Sequence, residues 1–417
     1  MRMYIAITAV AAVLAANLWL FQLEDPARRN AINAEVTALN LGLLPPDQGV
    51  TLALVEHGRD VAPHVVLVTE TTQTGISGID LTRTGLTTQS DYFEALVEVG
   101  LERLTALAIA AKNRRAELPL VQVSFQDLRP AAGTSTRTVA SGTNFPEHLE
   151  ETHAQSVFNF PKFGPATPPI TTVAITPEEL LDYEVEICAR FDRDIETVSD
   201  FDKAQKGFFL CGDFSDRAVL TRLVDPDNFD VGTGFSDAKS GPDRFPSGGL
   251  FVVPRDWQAF VNAERLVTEV NGETRQDTRA GDMILSFRDL VEKVLADTER
   301  PRFLYKSEYW HLIEGKKIAR GQVLMSGTAE GVIFMPPNLR QILRGVARYL
   351  THGDVVRGRD PYQSVVTSFI TEERQSGRYL QPNDLVTHKS SRMGLIKATV
   401  LQNEVPEVWS AVSQGSK

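Results

Sequence analysis

Along the chain, the pattern of apolar and polar positions changes character twice. Residues 3–23 (MYIAITAVAAVLAANLWLFQL) carry no charge and follow directly on Arg2. About 20 apolar residues suffice to cross a bilayer. Leu18, Trp19, Leu20 and Phe21 continue the run past Val13-Leu14-Ala15, the stretch that could serve as a signal cleavage site. The pattern predicts an N-terminal hydrophobic helix acting as a membrane anchor or signal segment, with the side of the membrane left open. The protein is therefore expected to be membrane-anchored or exported.

The second texture begins after a linker at 24–50 that contains Pro45-Pro46. Short strands are predicted at 50–55 and 65–68. Phe93, Leu96, Val97, Leu101, Leu104 and Ala108 recur at helical spacing, which predicts one long helix over 90–116 with Ser90 as N-cap. PLVQVSF at 119–125 reads as a strand. Residues 24–135 thus form a smaller N-terminal α/β module.

From about residue 140, short β-branched runs are broken by Gly, Pro, Asp and Asn. Strands are predicted at 183–191, 206–210, 250–253, 265–270 and 322–326, with a closing pair within 384–401 around Gly394. Thr176-Pro177 predicts a helix start with Pro at the first position, and Ser286 opens a second helix with capping-box character. Two stretches read as insertions, 298–318 and 335–376; the second has room for helices near 338–350 and 362–373. The fold class that follows is α+β and mainly β, with residues 136–417 as one insertion-bearing domain.

Composition adds little to the fold but narrows the function. Lys plus Arg number 43 and Asp plus Glu 54, for a net charge of −11. A general nucleic-acid binder usually carries a basic footprint, so none is expected here. The two cysteines, Cys188 and Cys211, cannot build a disulfide framework. Whether they bond to each other is not fixed by their spacing.

The chemistry-bearing residues lie in the third region. Along a strand, residues two apart share a face. Glu184 and Glu186 in DYEVEI (182–187) therefore present two carboxylates together, and Asp213 in GDFSDR (212–217) could supply a third. Such a set suits Mg²⁺, Mn²⁺ or Ca²⁺, which prefer oxygen ligands. Lys239 sits in a Gly/Pro-rich loop, and Arg217 closes the Asp213 segment. SGTAEGV (326–332) puts Gly327 and Thr328 in a loop whose amides could bind a carboxylate. Taken singly, each motif also fits an ordinary solvated strand face or turn.

Taken in order, these motifs resemble the fumarylacetoacetate hydrolase family. DYEVEI is similar to its Glu-x-Glu metal strand, GDFSDR to its Asn-Asp-x-Ser-Ala-Arg segment, and AKS (238–240) to its Gly-Lys-Ser loop. VNGETRQDTRAGDMILSFRDLV (270–291), SGTAEGV and 378–400 follow in the family's order. SGTNFPEHLEE (141–151) is similar to its Gly-x-Asn-Tyr-x-x-His segment. It places His148 at the family's catalytic histidine and Glu151 at that histidine's partner.

The departures are Phe145 for tyrosine, Gly212 for asparagine, Asp216 for alanine, Ala218 for the second aspartate, and Arg392-Met393 before Gly394. The resemblance implies a mixed-strand β roll or sandwich. It implies metal ligands Glu184, Glu186 and Asp213, catalytic His148, Glu151 and Lys239, and substrate contacts from Arg217, Gly327 and Thr328. The implied activity is hydrolysis of a C–C bond in an acylpyruvate-like or 1,3-dicarbonyl acid through a metal-chelated enolate. Decarboxylation or isomerisation of a keto acid on the same site, or a non-catalytic membrane-anchored binding protein on this fold, are the alternatives. A small carboxylate or keto-acid ligand is the expected partner, and pairing as a homodimer is open.

Overall fold

Apolar runs bounded by turn residues become strands, and the longest sheet takes them from both parts of the chain. A computed structural model describes residues 19–22, 25, 27–56, 62–113, 117–225, 228, 231–352 and 354–403. From the N-terminal part come β1 (Gly49–Val55), β2 (His64–Thr71), β3 (Gly75–Asp80) and β4 (Leu120–Ser124). From the later part come β5 (Arg137–Gly142), β6 (Phe158–Phe163), β9 (Val185–Phe191), β10 (Lys206–Gly212), β12 (Leu250–Pro254) and β17 (Val323–Met325). They form one ten-stranded sheet in the order β4-β3-β2-β1-β12-β10-β9-β17-β5-β6.

The join between the two groups is the antiparallel pairing of β1 with β12, from Gly49↔Pro254 to Ala53↔Leu250. β1, β9, β10 and β12 are buried at every residue. That is why they read as continuous apolar runs rather than alternating ones. One apolar core continues under the join: Leu52 and Leu67 share it with Phe208, Phe251 and Val252, and Tyr92 stacks on Phe251 at 4.3 Å.

A second, five-stranded sheet contains β7 (Ile170–Ile175), β13 (Arg265–Val270), β14 (Glu273–Arg279), β18 (Leu385–Ser390) and β19 (Leu395–Gln402). Two-residue strands β8 (Leu181–Asp182) and β11 (Ser215–Asp216) pair with each other. The stretch 298–318 holds the hairpin β15 (Phe303–Tyr305) and β16 (Glu308–Trp310).

The helices are α1 (Tyr92–Val99), α2 (Leu101–Lys112), α3 (Pro146–Thr152), α4 (Val198–Lys203), α5 (Arg217–Leu223), α6 (Phe235–Lys239), α7 (Trp257–Ala263) and α8 (Phe287–Ala296). The stretch 335–376 adds α9 (Leu339–Thr351) and α10 (Pro361–Ser376). The fold is thus mixed α+β and mainly sheet.

Several expectations need correction. Among the described residues no helix is long and apolar enough to cross a membrane, so the membrane-anchored or exported placement is not upheld. Residues 1–18 and 23 of the apolar run lie outside the described residues. The described part, from Trp19, rests on α9: the Arg340 guanidinium lies 5.1 Å from the Trp19 ring centre, and Arg344 Nη1 donates to the Gln22 carbonyl at 3.2 Å.

The single helix expected over 90–116 is two helices. Gly100, at φ +85°, breaks the backbone between them. The cap is Asp91 rather than Ser90, its carboxylate accepting from the amides of Phe93 and Glu94; residues 114–116 are outside the described set. Thr176-Pro177 starts a turn, not a helix, and the Glu179 carboxylate accepts the Thr176 amide there. Ser286 does cap α8 with a reciprocal Asp289 bond. The linker at 24–50 is in part a strap docked on the sheet domain, with Asn30 Nδ2 donating to the carbonyls of Val332 and Phe334.

Candidate active site

Register alone brings the three acids together. β9 and β10 pair antiparallel with Val185 opposite Gly212 and Glu186 opposite Cys211. One step further the Asp213 amide donates to the Glu184 carbonyl at 2.9 Å, which puts Asp213 across from Glu184. Opposed residues in such a ladder have side chains about 5 Å apart. Glu184, Glu186 and Asp213 are all buried, and each offers one carboxylate oxygen within 4.8 Å of the others. Cys188 and Cys211 continue the same face one step deeper and are joined by a disulfide with Cα atoms 6.0 Å apart. The open question about these two cysteines therefore closes as a bonded pair directly behind the acids.

Three cations surround the cluster. Lys239 Nζ donates to Glu184 Oε2 at 2.6 Å, Asp213 Oδ2 at 3.0 Å and Ser215 Oγ at 2.6 Å. Arg217 donates through Nη2 to Glu184 Oε1 at 2.6 Å and through Nε to Asp182 Oδ2 at 2.8 Å. Lys162, which carried no signal in the sequence, donates to Asp213 Oδ1 at 2.6 Å and to the Arg244 carbonyl at 3.1 Å, and also to the Lys239 carbonyl.

The electrostatic consequences differ by residue. Burial opposes ionisation of Glu184, but Lys239 and Arg217 outweigh it and hold that carboxyl well below the usual range. Burial pushes Glu186 well up, and Asp213 and Glu184 add to the shift. Burial lowers Lys162 against the pull of Asp213, whereas for Lys239 the two carboxylates prevail over burial and raise it.

Glu186 is the place where something is missing. Its Oε2 accepts the Gly327 amide at 2.7 Å. Its Oε1 is buried with no hydrogen-bond partner among the described residues. A hard divalent cation fits an all-carboxylate donor set with one unclaimed oxygen, and its charge would hold Glu186 ionised.

Opposite the acids, α3 carries a histidine–carboxylate pair. His148 and Glu151 are three residues apart on one helical face; His148 Nδ1 lies 2.7 Å from Glu151 Oε2, and both side chains are buried. Glu151 Oε1 accepts the Gly331 amide at 3.1 Å. Burial raises Glu151, with His148 pulling the other way. His148, Glu184, Arg217, Lys239 and Thr328 line one cavity of about 500 Å³. In that wall Thr328 Oγ1 donates to the Val185 carbonyl at 3.0 Å and accepts from Gln276 at 2.9 Å.

The family model for the fumarylacetoacetate (FAA) hydrolase C-terminal domain matches residues 137–401, well over half the chain. The chain belongs to the fumarylacetoacetate hydrolase family. Among solved structures, a fumarylacetoacetate hydrolase from psychrophilic Exiguobacterium antarcticum is 16% identical, covering 85% of this chain and 100% of its own at a TM-score of 0.50. A 2-hydroxyhepta-2,4-diene-1,7-dioate isomerase from Mycobacterium marinum is 13% identical, with 85% and 100% coverage and a TM-score of 0.47. A 5-carboxymethyl-2-hydroxymuconate delta-isomerase from Mycobacterium smegmatis is 14% identical, with the same coverages and a TM-score of 0.46. Among curated proteins none matches the chain.

Within this fumarylacetoacetate hydrolase fold, the local departures have structural partners. Asp216 N-caps α5, its Oδ1 accepting the Ala218 amide at 2.8 Å and the Leu180 amide at 3.2 Å. Ala218 leaves no acid on that helix turn, and Asp182 is the residue that pairs with Arg217 Nε. Asp182 also accepts the amides of Ile333 and Phe334, fixing the loop beside the cavity. Gly212 leaves room for His388: a Cβ at position 212 would meet His388 Nε2 and Pro246 Cγ, each at 2.9 Å.

Proposed function

We propose that the protein is a divalent-metal-dependent hydrolase that cleaves a C–C bond of an acylpyruvate-like or related 1,3-dicarbonyl acid. The observation that carries this reading is the common cavity: Glu184, Arg217, Lys239 and Thr328 line it together with His148, which Glu151 holds. Glu184, Glu186 and Asp213 would hold the ion, with Mg²⁺ as the first candidate and Mn²⁺ or Ca²⁺ as relatives. When bound, such an ion supplies Lewis-acid polarisation of the dicarbonyl oxygens.

The chain's own groups do the rest. Glu151 engages His148 Nδ1, which orients the ring and leaves Nε2 to take a proton from water. The hydroxide so formed adds to the acyl carbonyl carbon. The bond from that carbon to the pyruvyl methylene then breaks, and the electron pair left on the methylene takes back the proton from His148. The products are a carboxylic acid and pyruvate, and atoms balance with one water consumed. Lys239 stabilises negative charge developing on oxygen. Arg217, with five donors in its fork, and Thr328 are assigned to the substrate carboxylate, while the Gly327 amide is held by Glu186 and positions the loop.

Glu184→Gln and His148→Ala should each lower acylpyruvate turnover by about 10²-fold or more. Either variant working at the wild-type rate overturns the assignment. Product analysis separates this chemistry from decarboxylation or isomerisation: pyruvate plus the carboxylic acid is expected, without release of CO₂.

A further inference from the structure

Most of the cavity is not used by the chemistry described so far. At about 500 Å³ it is roughly three times the ~150 Å³ that accommodates a benzene ring, and a pyruvyl head group with a small acyl substituent leaves much of it vacant. The composition of the wall changes along its length. α5 shows this directly: Arg217, Leu220, Thr221 and Val224 all line the cavity, a spacing that selects one helical face. Arg217 is at the start of α5 beside Glu184, and Val224 is its C-cap. At 1.5 Å per residue, these two are about 10 Å apart along the axis. The wall therefore runs from charged to apolar over that distance.

The α9–α10 pair completes the apolar end. α10 packs against α5 and contributes Val365, Val366 and Phe369, while α9 contributes Ile342. The basic groups in the lining are Arg217, Lys239, His148 and His153, and none of them is on α9 or α10. The arginine nearest in sequence to Ile342 on the buried side, Arg344, lies 3.3 Å from Glu372 within the helix pair. A carboxylate reaching α9 and α10 would thus meet aliphatic and aromatic groups with no lining cation on either helix.

We infer that the acyl group of the substrate is an aliphatic chain of about five carbons, seated between α5, α9 and α10, and that the site disfavours dicarboxylates. The length follows from the apolar stretch of that wall, about 6 Å from Leu220 to Val224, and roughly 1.3 Å of advance per carbon in an extended chain of ~1.5 Å bonds. This rests on the acylpyruvate reading above for its head group, but the tail pocket can be tested apart from it.

The experiment measures kcat/KM with Mg²⁺ for acetyl-, butanoyl-, hexanoyl-, octanoyl- and decanoylpyruvate, with succinylpyruvate beside pentanoylpyruvate. Each added methylene should raise kcat/KM by about fourfold until the pocket is filled. Succinylpyruvate should fall at least tenfold below pentanoylpyruvate. Val365→Trp should lower the hexanoyl-to-acetyl ratio at least tenfold. A flat chain-length profile, or a preference for succinylpyruvate, overturns the tail assignment while leaving C–C hydrolysis intact. If no acylpyruvate is turned over, the hydrolase reading fails instead. The tail pocket is then judged by calorimetric affinity for 2-oxo acids from four to ten carbons: a rise with length that Val365→Trp abolishes supports it, and no rise overturns it.

Discussion

At the scale of single residues, the site is a balance of buried charges that only partly shows in the sequence. Glu184, Glu186, Asp213 and Lys239 were legible through the order of their motifs, since acids two apart on a strand and a lone lysine carry little signal singly; Lys239, expected in a loop, ends α6. Lys162 was not. FNFPKF reads as an apolar strand with one cation, and its burial is explained by Asp213, 51 positions away in the chain, and by the carbonyls of Lys239 and Arg244. Removing it leaves Asp213 Oδ1 and the Arg244 carbonyl without that donor in a dry interior. Lys162→Met should therefore cost about 3 kcal/mol of stability in chelator. Urea denaturation reads this directly, and a loss under about 1 kcal/mol would contradict the role given to Lys162.

Gly212 and His388 form a second residue-scale pair. His388 is fully buried, and burial holds its pKa down at about 3, so the ring is neutral at ordinary pH. It occupies the space next to Gly212 in which a Cβ would clash. Asparagine, the family's residue at 212, should destabilise the parent but be better tolerated beside His388→Ala. A double-mutant cycle in denaturant should give a coupling of about 1 kcal/mol or more; strictly additive effects would show that the two positions are independent.

At the scale of elements, pattern reading succeeded where burial is one-sided or complete and failed where neighbours decide. β9, β10, β12 and β13 were legible as short β-branched or apolar runs, and α9 and α10 only as a stretch with room for two helices. β3, with two glycines in six residues, has little side-chain pattern of its own and is held between β2 and β4. The break at Gly100 was hidden because apolar spacing continues across it. The α9–α10 pair depends on a close approach that spacing cannot show. Gly345 faces Val365, and a Cβ there would lie 2.9 Å from the Val365 Cα, a backbone atom that cannot swing away. Gly345→Leu should lower stability by about 1–3 kcal/mol through overpacking, despite the ~1 kcal/mol that leucine gains over glycine in helix propensity. Thermal unfolding together with limited proteolysis at 352–361 checks this; an unchanged melting point and an unchanged cleavage rate would contradict it.

At the scale of the whole molecule, the strands of the N-terminal part and those around the acids belong to one sheet over one core. The site therefore rests on the centre of a ten-stranded sheet, and the cavity is bounded by elements from distant parts of the chain: α3, α5, the Gly327–Phe334 loop and the α9–α10 pair. Motif order in the sequence revealed the family and the acids. It did not reveal the strap at 27–37, whose Asn30 ties it to the Val332–Phe334 segment, because such a contact is made by side-chain amides with no periodic pattern. Nor did composition show where the apolar run at the N-terminus leads; the part described from Trp19 lies against α9. The central claim is that Glu184, Glu186 and Asp213 hold a divalent cation on which acylpyruvate cleavage depends. The most direct test is the initial rate of hexanoylpyruvate hydrolysis by metal-stripped protein titrated with Mg²⁺, beside Glu186→Gln. The expected result is no turnover without metal, saturable recovery in the wild type and none in the variant. Full-rate turnover by the stripped protein, or none by the metal-loaded wild type, would contradict the claim.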